Sequence, residues 1–217
     1  MNISIHVISL PNDEESRKRR IRLGQLEHAD RFAWFDAVDG RTADPALVER
    51  FMARDHQLRP GQIGCALSHL LLWESQAEVP RADNDIMLVL EDDAVYGQGL
   101  LAHIEQIASA LRTLNKPWDL MYLGHTAEKA AELVINVQEK GIKVHDSYHP
   151  RGCFGYAISS QGLQTILGWS GQVKLKLPID EEIMLGIWRG KIKSVSIHPM
   201  LVTTVGGRST ISERLAS

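Results

Sequence analysis

Three adjacent carboxylates, Glu91, Asp92 and Asp93, follow a run of apolar residues in the segment LVLEDDAVYG at 88–97. Like charges held this close repel one another, and a bound cation offsets that repulsion. Carboxylate oxygens are the ligands that Mg²⁺ and Mn²⁺ prefer in proteins. The triplet is therefore either the acidic part of a divalent-metal site or a solvated turn at the end of a strand.

Two further groups of polar residues stand next to apolar runs. Asp180 and Glu181 precede one in LPIDEEIM at 177–184, where a carboxylate could be a general base or the N-cap of a helix. Ser68 and His69 interrupt the apolar residues of GCALSHLLLW. They are either satisfied core residues or part of a site, and the pattern leaves both interpretations open.

Several common chemistries lack their motifs. The first strand is followed by SLPNDEE rather than by GxGxxG, and the sequence contains neither GxxxxGK[ST] nor GxSxG. A dinucleotide-binding domain, a P-loop NTPase and a hydrolase with a nucleophile elbow are therefore disfavoured. His145 and His149 are four residues apart without an HExxH motif, so they give only a weak indication of zinc.

Composition predicts one globular domain over residues 1–217, because 44% hydrophobic and 24% charged residues are ordinary for a folded chain of this length. The net charge of −3 argues against nucleic acid as a partner. The basic run SRKRR at 16–20 is the local exception. It could be the solvated face of a helix, receive a phosphorylated ligand or contact an anionic membrane surface.

The two cysteines, Cys65 and Cys153, stand in apolar stretches, which is typical of buried free thiols in a reducing compartment. The N-terminus does not have the pattern of a secretory signal, and no apolar run is long enough to cross a membrane. We therefore expect a cytoplasmic location.

Strands and helices alternate along the chain, which predicts an α/β fold with a mostly parallel central sheet flanked by helices. In such a sheet, ligands bind at the carboxyl ends of the strands, where the acidic triplet falls. Apolar runs predict strands over 2–10, 31–38, 85–91, 118–124, 143–149 and 153–160, and one or two strands over 192–205. Helical spacing and capping residues predict helices over 12–28, 44–53, 61–78, 100–114, 160–169 and 179–190.

Seven blocks in order give the chain a family resemblance that covers residues from about 5 to 184. They are HVISLPNDEESRKRR, FAWFDAVDGR, GQIGCALSHLLLW, MLVLEDDAV, DLMYLG, GYAISSQGLQTIL and PIDEEIM. Together they resemble glycosyltransferase family 25, which includes bacterial lipooligosaccharide galactosyltransferases and collagen galactosyltransferase domains. The resemblance implies a GT-A-like fold and an inverting transfer from a nucleotide sugar, commonly UDP-galactose. The acceptor would be a lipooligosaccharide or another cell-surface glycan, reached through peripheral contact with the inner face of the membrane.

The resemblance also implies roles for individual residues. A manganese or magnesium ion would be held by Asp93, with Glu91 or Asp92 contributing directly, through water or through the donor ribose, and with His198 as a third metal ligand. Asp180 would be the catalytic base, with Glu181 as its substitute. The residues expected beside the donor are Ser9, Leu10, Arg17, Arg20, Ser68, His69, Glu91 and Asp92.

Two functions other than sugar transfer are alternatives for this chain. A sugar-phosphate nucleotidyltransferase would show a glycine-rich loop after the first strand, where this chain has SLPNDEE. A non-catalytic carbohydrate-binding protein would not need its acidic residues for activity. The loops at 41–60 and 124–150 are expected to shape the acceptor pocket, and the tail from Gly206 is expected to be mobile.

Overall fold

A computed structural model describes residues 1–126, 132–137 and 141–205 of the chain. Its strands are β1 (Ile3–Ser9), β2 (Phe32–Asp36), β3 (Ile86–Glu91), β4 (Ala94–Tyr96), β5 (Leu120–Tyr122), β6 (Leu133–Val137), β7 (Ile142–Asp146), β8 (Gly155–Ser159), β9 (Ser194–His198) and β10 (Val202–Thr204). Its helices are α1 (Glu14–Leu23), α2 (Pro45–Phe51), α3 (Pro60–Ser75), α4 (Leu100–Thr113), α5 (Ser160–Ser170) and α6 (Ile179–Trp188), with a 3₁₀ turn at Ala29–Arg31.

The central sheet has eight strands in the order β2-β1-β3-β8-β5-β9-β7-β6, and β4 pairs with β10 in a separate two-stranded ribbon. β7 and β8 run opposite to the other six strands of the large sheet. The predicted α/β architecture with a mostly parallel central sheet between helices is confirmed. The carboxyl ends of β1, β2, β3, β5 and β9 consequently meet along one edge.

Both faces of the sheet are buried, which explains why β3 is apolar at successive positions. Leu88 and Leu90 pack on one side in a cluster with α4, whereas Met87 and Val89 pack on the other side with α3, α5 and α6. With α3 and α4 covering opposite faces, the end of β3 is fixed where the acidic triplet begins.

The first helix begins one residue later and ends earlier than the sequence predicts. Asp13, not Asn12, is its N-cap, and the Asp13 carboxylate accepts a hydrogen bond of 2.9 Å from Ser16 N. Either residue type can cap a helix, so the sequence pattern does not choose between them. The helix ends at Leu23 with Gly24 as its C-cap, and the predicted extension to residue 28 is wrong.

Other predicted bounds also change. The segment 192–205, predicted as one or two strands, forms two, β9 and β10, and β6 lies in the part of the region 124–150 that we expect to be loop. The tail from Gly206, which we expect to be mobile, lies outside the described residues. Within the described ranges, each helix falls short of the length and apolarity that a bilayer crossing requires.

Candidate active site

A cleft of about 630 Å³ opens where β1 and β3 end. The carboxyl ends of these parallel neighbours lie side by side, so residues far apart in sequence meet there. The cleft brings together seven of the residues predicted from the sequence: Ser9, Leu10, Ser68, His69, Glu91, Asp92 and Asp93. The triplet does end its strand in a turn at Asp92 and Asp93, and all three carboxylates of that turn border the cleft.

Asp92 is the buried member of the triplet, with 6% of its surface exposed. Its Oδ2 accepts a hydrogen bond of 2.8 Å from the Ser9 hydroxyl, and its Oδ1 accepts one of 3.1 Å from Arg19 Nη1. A buried carboxylate needs such partners to stay charged. Both oxygens thus have protein partners, and Asp92 fixes the turn after β3 to β1 and α1.

Asp93 lacks a comparable set of partners. Within the described part of the chain, its Oδ1 is buried and has no hydrogen-bond partner. Burial, and then the nearby Glu91 carboxylate, raise the pKa of Asp93 to about 6, while Arg19 opposes the shift. A divalent cation would give Oδ1 a partner and would favour the charged carboxylate. The triplet therefore fits a cation at Asp93.

Glu91 is held against α3. Its Oε1 lies 3.2 Å from His69 Nε2 and accepts a long contact of 3.8 Å from the Cys65 thiol. The buried His69 ring is itself held through Nδ1, which lies 2.8 Å from the Tyr156 hydroxyl. Trp73 Nε1 also donates to that hydroxyl. His69 is therefore a satisfied core residue, and it also orients a carboxylate of the cleft. The two interpretations of its place in the sequence, as a core residue and as part of a site, both apply.

The basic helix α1 approaches the triplet through residues other than those expected. Arg20 donates hydrogen bonds to the Ser9 hydroxyl (2.8 Å) and to the Ser9 carbonyl (3.1 Å), but Arg20 itself is not part of the cleft lining. Arg17 is exposed on α1 and does not line the cleft. Arg19, which the sequence prediction missed, lines it and pairs with Asp92. The sequence carried no clear signal for Arg19, because the burial of Ser16, three residues earlier on the same helix face, is seen only in the structure.

One wall of the cleft is formed where α3 meets the segment 37–41. Ser68 Oγ donates to Gly64 O (2.6 Å) and accepts from Val38 N (2.9 Å), which ties the helix to that segment. A Cβ on Gly40 would lie 1.8 Å from Pro60 O, and a Cβ on Gly64 would lie 2.5 Å from Val38 O. The two backbones can approach this closely only because both positions are glycine.

The predicted base, Asp180, lies in the first turn of α6. The N-cap of α6 is Pro178, so the interpretation of Asp180 as the N-cap is wrong. Asp180 Oδ2 instead accepts a hydrogen bond of 3.0 Å from Gly152 N. Burial raises the pKa of the Cys65 thiol well above its usual value, and the Glu91 and Asp180 carboxylates raise it further. Asp180 therefore lies near the Cys65 wall of the cleft, although it is not part of the lining.

The two glutamates after Asp180 differ in environment. Glu181 lies at the surface with its Oε1 3.7 Å from Arg151 Nη2. Glu182 is buried, and its Oε1 accepts hydrogen bonds from the backbone N–H groups of Lys176 (2.9 Å) and Leu177 (3.1 Å). Of the two, Glu182 therefore fixes the chain entering α6, and Glu181 keeps a partly exposed carboxylate.

His198, the predicted third metal ligand, lies at the end of β9. This is the same edge of the sheet as the triplet, but β9 is three strands away from β3, or about 14 Å at the usual strand spacing. The His198 ring packs against the rings of His125 and His145, with centroids 4.8 and 5.2 Å apart. His149 packs against Trp188 instead, with ring centroids 5.6 Å apart. The cleft lining does not include His198.

Comparison with known proteins gives a family match over most of the chain. The model of Glycosyltransferase family 25 (LPS biosynthesis protein) matches residues 2–183. A glycosyltransferase 25 family member of Anopheles gambiae is 31% identical over 201 residues, which cover 82% of this chain and 31% of that protein. Procollagen galactosyltransferase 2 of Mus musculus is 28% identical and covers 82% of this chain and 29% of its own length.

Other relatives are named as lacking activity. A probable inactive glycosyltransferase 25 family member 3 of Bos taurus is 28% identical, covering 82% of this chain and 30% of that protein. The chain thus spans about a third of the length of these curated relatives. Among solved structures, an active-site mutant of LgtC aligns over 96% of this chain and 78% of its own, with 13% identity and a TM-score of 0.41.

Proposed function

Because the chain belongs to glycosyltransferase family 25, we propose that it is a GT-A-type enzyme that transfers a hexose from a nucleotide sugar to a glycan hydroxyl with inversion. The donor we propose is UDP-galactose, and the acceptor is a lipooligosaccharide or another cell-surface glycan. Relatives named procollagen galactosyltransferases support galactose as the transferred sugar.

The observation that carries the proposal is the buried Oδ1 of Asp93, which has no partner among the described residues and lies in a cleft that also holds Glu91. We propose that Asp93 and Glu91 hold Mn²⁺ or Mg²⁺. When bound, the cation would offset the charge that develops on the departing diphosphate. Asp92 would keep the triplet in place, since its two oxygens already bind Ser9 and Arg19.

The donor would lie between the end of β1 and the α3 wall. Ser9 and Leu10 line the floor beside the triplet, and Arg19, Arg41 and Arg59 supply positive charge around the cleft. Guanidinium groups suit phosphate oxygens because they donate paired hydrogen bonds. The lining also holds four carboxylates, and Arg19 and Arg41 already pair with two of them, Asp92 and Asp39. A cation bound at Asp93 would offset the remaining negative charge and so favour a diphosphate-containing ligand over a neutral saccharide.

Asp180 would take the proton of the acceptor hydroxyl as that oxygen attacks the anomeric carbon. A hydroxyl is a weak nucleophile at neutral pH, so a positioned carboxylate lowers the barrier. The Gly152 N–H holds Asp180 Oδ2, which fixes the orientation of the carboxylate. A single displacement inverts the anomeric centre and needs no covalent intermediate on the protein.

Two alternatives remain as outcomes of the test. β1 runs through Ser9 directly into Leu10 and Pro11, so the end of β1 offers no glycine-rich loop for a nucleotidyltransferase. The relatives named inactive make a non-catalytic carbohydrate-binding role the second candidate. That candidate predicts that the triplet can be neutralised without loss of function.

The experiment is a panel of UDP-sugars incubated with the protein, with Mn²⁺ and with EDTA, followed by measurement of released UDP. We expect metal-dependent turnover with UDP-galactose and its loss in Asp93→Asn. Exposed Asp83 at the other edge of the sheet provides a matched control, Asp83→Asn. Saccharide binding without turnover of any donor would support the non-catalytic role and overturn the transferase.

The site of action is also a proposal. We place the reaction at the cytoplasmic face of the inner membrane, where a growing glycolipid would be accessible. Vesicles with and without anionic lipid would test this placement by sedimentation with the protein, and equal recovery in both supernatants would contradict it.

A further inference from the structure

Three side chains of different ligand chemistry meet on the α3 wall of the cleft. They are the thiol of Cys65, the imidazole of His69 and the carboxylate of Glu91, and one ligand atom of each lies within 4.8 Å of the other two. Cys65 and His69 are four residues apart on α3 and therefore share a helix face. Glu91, at the end of β3, faces them.

The spacing of these atoms fits a tetrahedral zinc ion. With usual zinc–ligand lengths, the edges of a tetrahedron are about 3.3 Å from nitrogen to oxygen and about 3.6 Å from sulfur to oxygen. The corresponding distances are 3.2 Å from His69 Nε2 to Glu91 Oε1 and 3.8 Å from Cys65 Sγ to Glu91 Oε1. The third edge, from sulfur to nitrogen, is no longer than 4.8 Å, so small side-chain movements would bring the three ligand atoms to tetrahedral spacing.

The surroundings also suit a metal-binding histidine. His69 Nδ1 lies 2.8 Å from the Tyr156 hydroxyl, which is in turn held by Trp73 Nε1. A partner on the second ring nitrogen orients a metal-binding imidazole. The side chain of His69 is only 1% exposed and that of Glu91 is 25% exposed, so the group is rigid on one side and borders the cleft on the other.

The chemistry of the donor set separates this group from the proposed manganese position. Thiolate and imidazole favour zinc, whereas Mn²⁺ and Mg²⁺ favour oxygen ligands such as Asp93. We propose that Cys65, His69 and Glu91 form a zinc-binding site on the α3 wall, with its fourth position open to the cleft. On binding, the Cys65 thiol releases its proton to solvent and binds as the thiolate.

Occupancy of this site would affect the cleft through Glu91, the carboxylate it shares with the proposed manganese position. Zinc would hold Glu91 on the α3 wall and so slow sugar transfer. This consequence rests on the proposed function, whereas the binding site itself does not. The test of the site is accordingly spectroscopic and uses metal alone.

Cobalt(II) is the probe, because it occupies zinc sites and absorbs visibly when tetrahedral. We expect the reduced wild-type protein to bind one Co²⁺ per chain, with a near-ultraviolet sulfur-to-cobalt absorption band that Zn²⁺ abolishes by displacement. Cys65→Ser should lose that band. His69→Gln should weaken cobalt binding by about tenfold or more.

The matched control is Cys153→Ser, which removes the only other thiol of the chain and should keep the band. Circular dichroism would establish that each variant is folded. Absence of the band in the folded wild type, or its persistence in Cys65→Ser, would overturn the site. Asp93→Asn should keep the band while losing turnover, so failure of the zinc site and failure of the transferase are separate results.

Discussion

The hydroxyl of Ser9 donates a hydrogen bond of 2.8 Å to Oδ2 of Asp92, across a separation of 83 residues in the sequence. The same hydroxyl accepts a hydrogen bond of 2.8 Å from Arg20 Nε. Ser9 thus links the basic helix α1 to the acidic turn after β3. The position of the triplet depends on this small side chain as well as on the buried strand before it.

Replacement of Ser9 by alanine should destabilise the fold by about 1–3 kcal/mol, because a buried oxygen of Asp92 and the Arg20 Nε–H would lose a partner. Urea unfolding of the metal-free protein measures this change. Ser170→Ala, which removes only a peripheral contact to Leu167 O, is the control and should be within about 0.5 kcal/mol of wild type. Equal stabilities for the two variants would show that the Ser9 contact contributes nothing.

Asp93→Asn should remove stabilisation by Mn²⁺. A ligand at 100 times its dissociation constant stabilises a folded protein by about 2.7 kcal/mol, and the variant lacks the charge that favours the ion. Thermal melting with and without Mn²⁺ measures the difference without any substrate. A shift in Asp93→Asn as large as in wild type would place the ion elsewhere, and Asp83→Asn should behave as wild type.

Asp180→Asn should lower kcat for sugar transfer by about 10²–10⁴-fold, the usual contribution of a general base. The fold should persist because the asparagine oxygen can still accept from Gly152 N. The KM for the donor should change little, since the carboxylate acts on the acceptor. Glu181→Gln is the comparison: if it loses activity and Asp180→Asn does not, the two roles are exchanged.

His6 should make the stability depend on pH. Burial, with a smaller effect of Arg81, lowers the pKa of His6 from 6.5 to about 4. The unfolded chain then binds a proton that the folded chain does not, so the stability that His6 contributes is full above about pH 6.5 and falls as the pH decreases toward 4. Asp93, whose pKa is raised to about 6, contributes in the opposite direction over much of this range, so the test replaces it as well. For His6, the difference between 6.5 and about 4 corresponds to a loss of about 3 kcal/mol once the pH is below 4.

Urea unfolding of Asp93→Asn at several pH values would measure this loss, and adding His6→Gln to that variant should flatten the dependence between pH 6.5 and 4. The control His103→Gln, on α4, should leave it in place. An unchanged slope in His6→Gln would mean that other groups cause the acid sensitivity.

The sequence predicts the buried elements of this fold better than its edges. β3 and α4 are clear because their apolar residues face a core, whereas β6 was missed because it is a half-exposed strand at the edge of the sheet. The two candidate caps before α1, Asn12 and Asp13, set its start one residue apart. Arg17 and Arg19 lie two residues apart, which is about 200° around the helix, so only one of them can face the cleft, and the cap residues do not show which.

The candidate site, like the fold, was only partly predictable from the sequence. The triplet at the end of a strand indicated the cleft, but sequence spacing could not show that Asp92 is held by Ser9 and Arg19 while Asp93 keeps an unpartnered oxygen. Those differences come from long-range packing. The same limit applies to His198, which reaches the right edge of the sheet but packs with two other histidines.

The close approach of Gly40 and Gly64 bears on how the specificity of the cleft could be altered. Any larger side chain at either position collides with the backbone of the facing segment, and no rotamer relieves a collision at Cβ. This wall therefore cannot be reshaped one residue at a time. A library intended to accept a bulkier sugar should vary Leu10, Arg41 and Arg59 and leave the glycine pair unchanged.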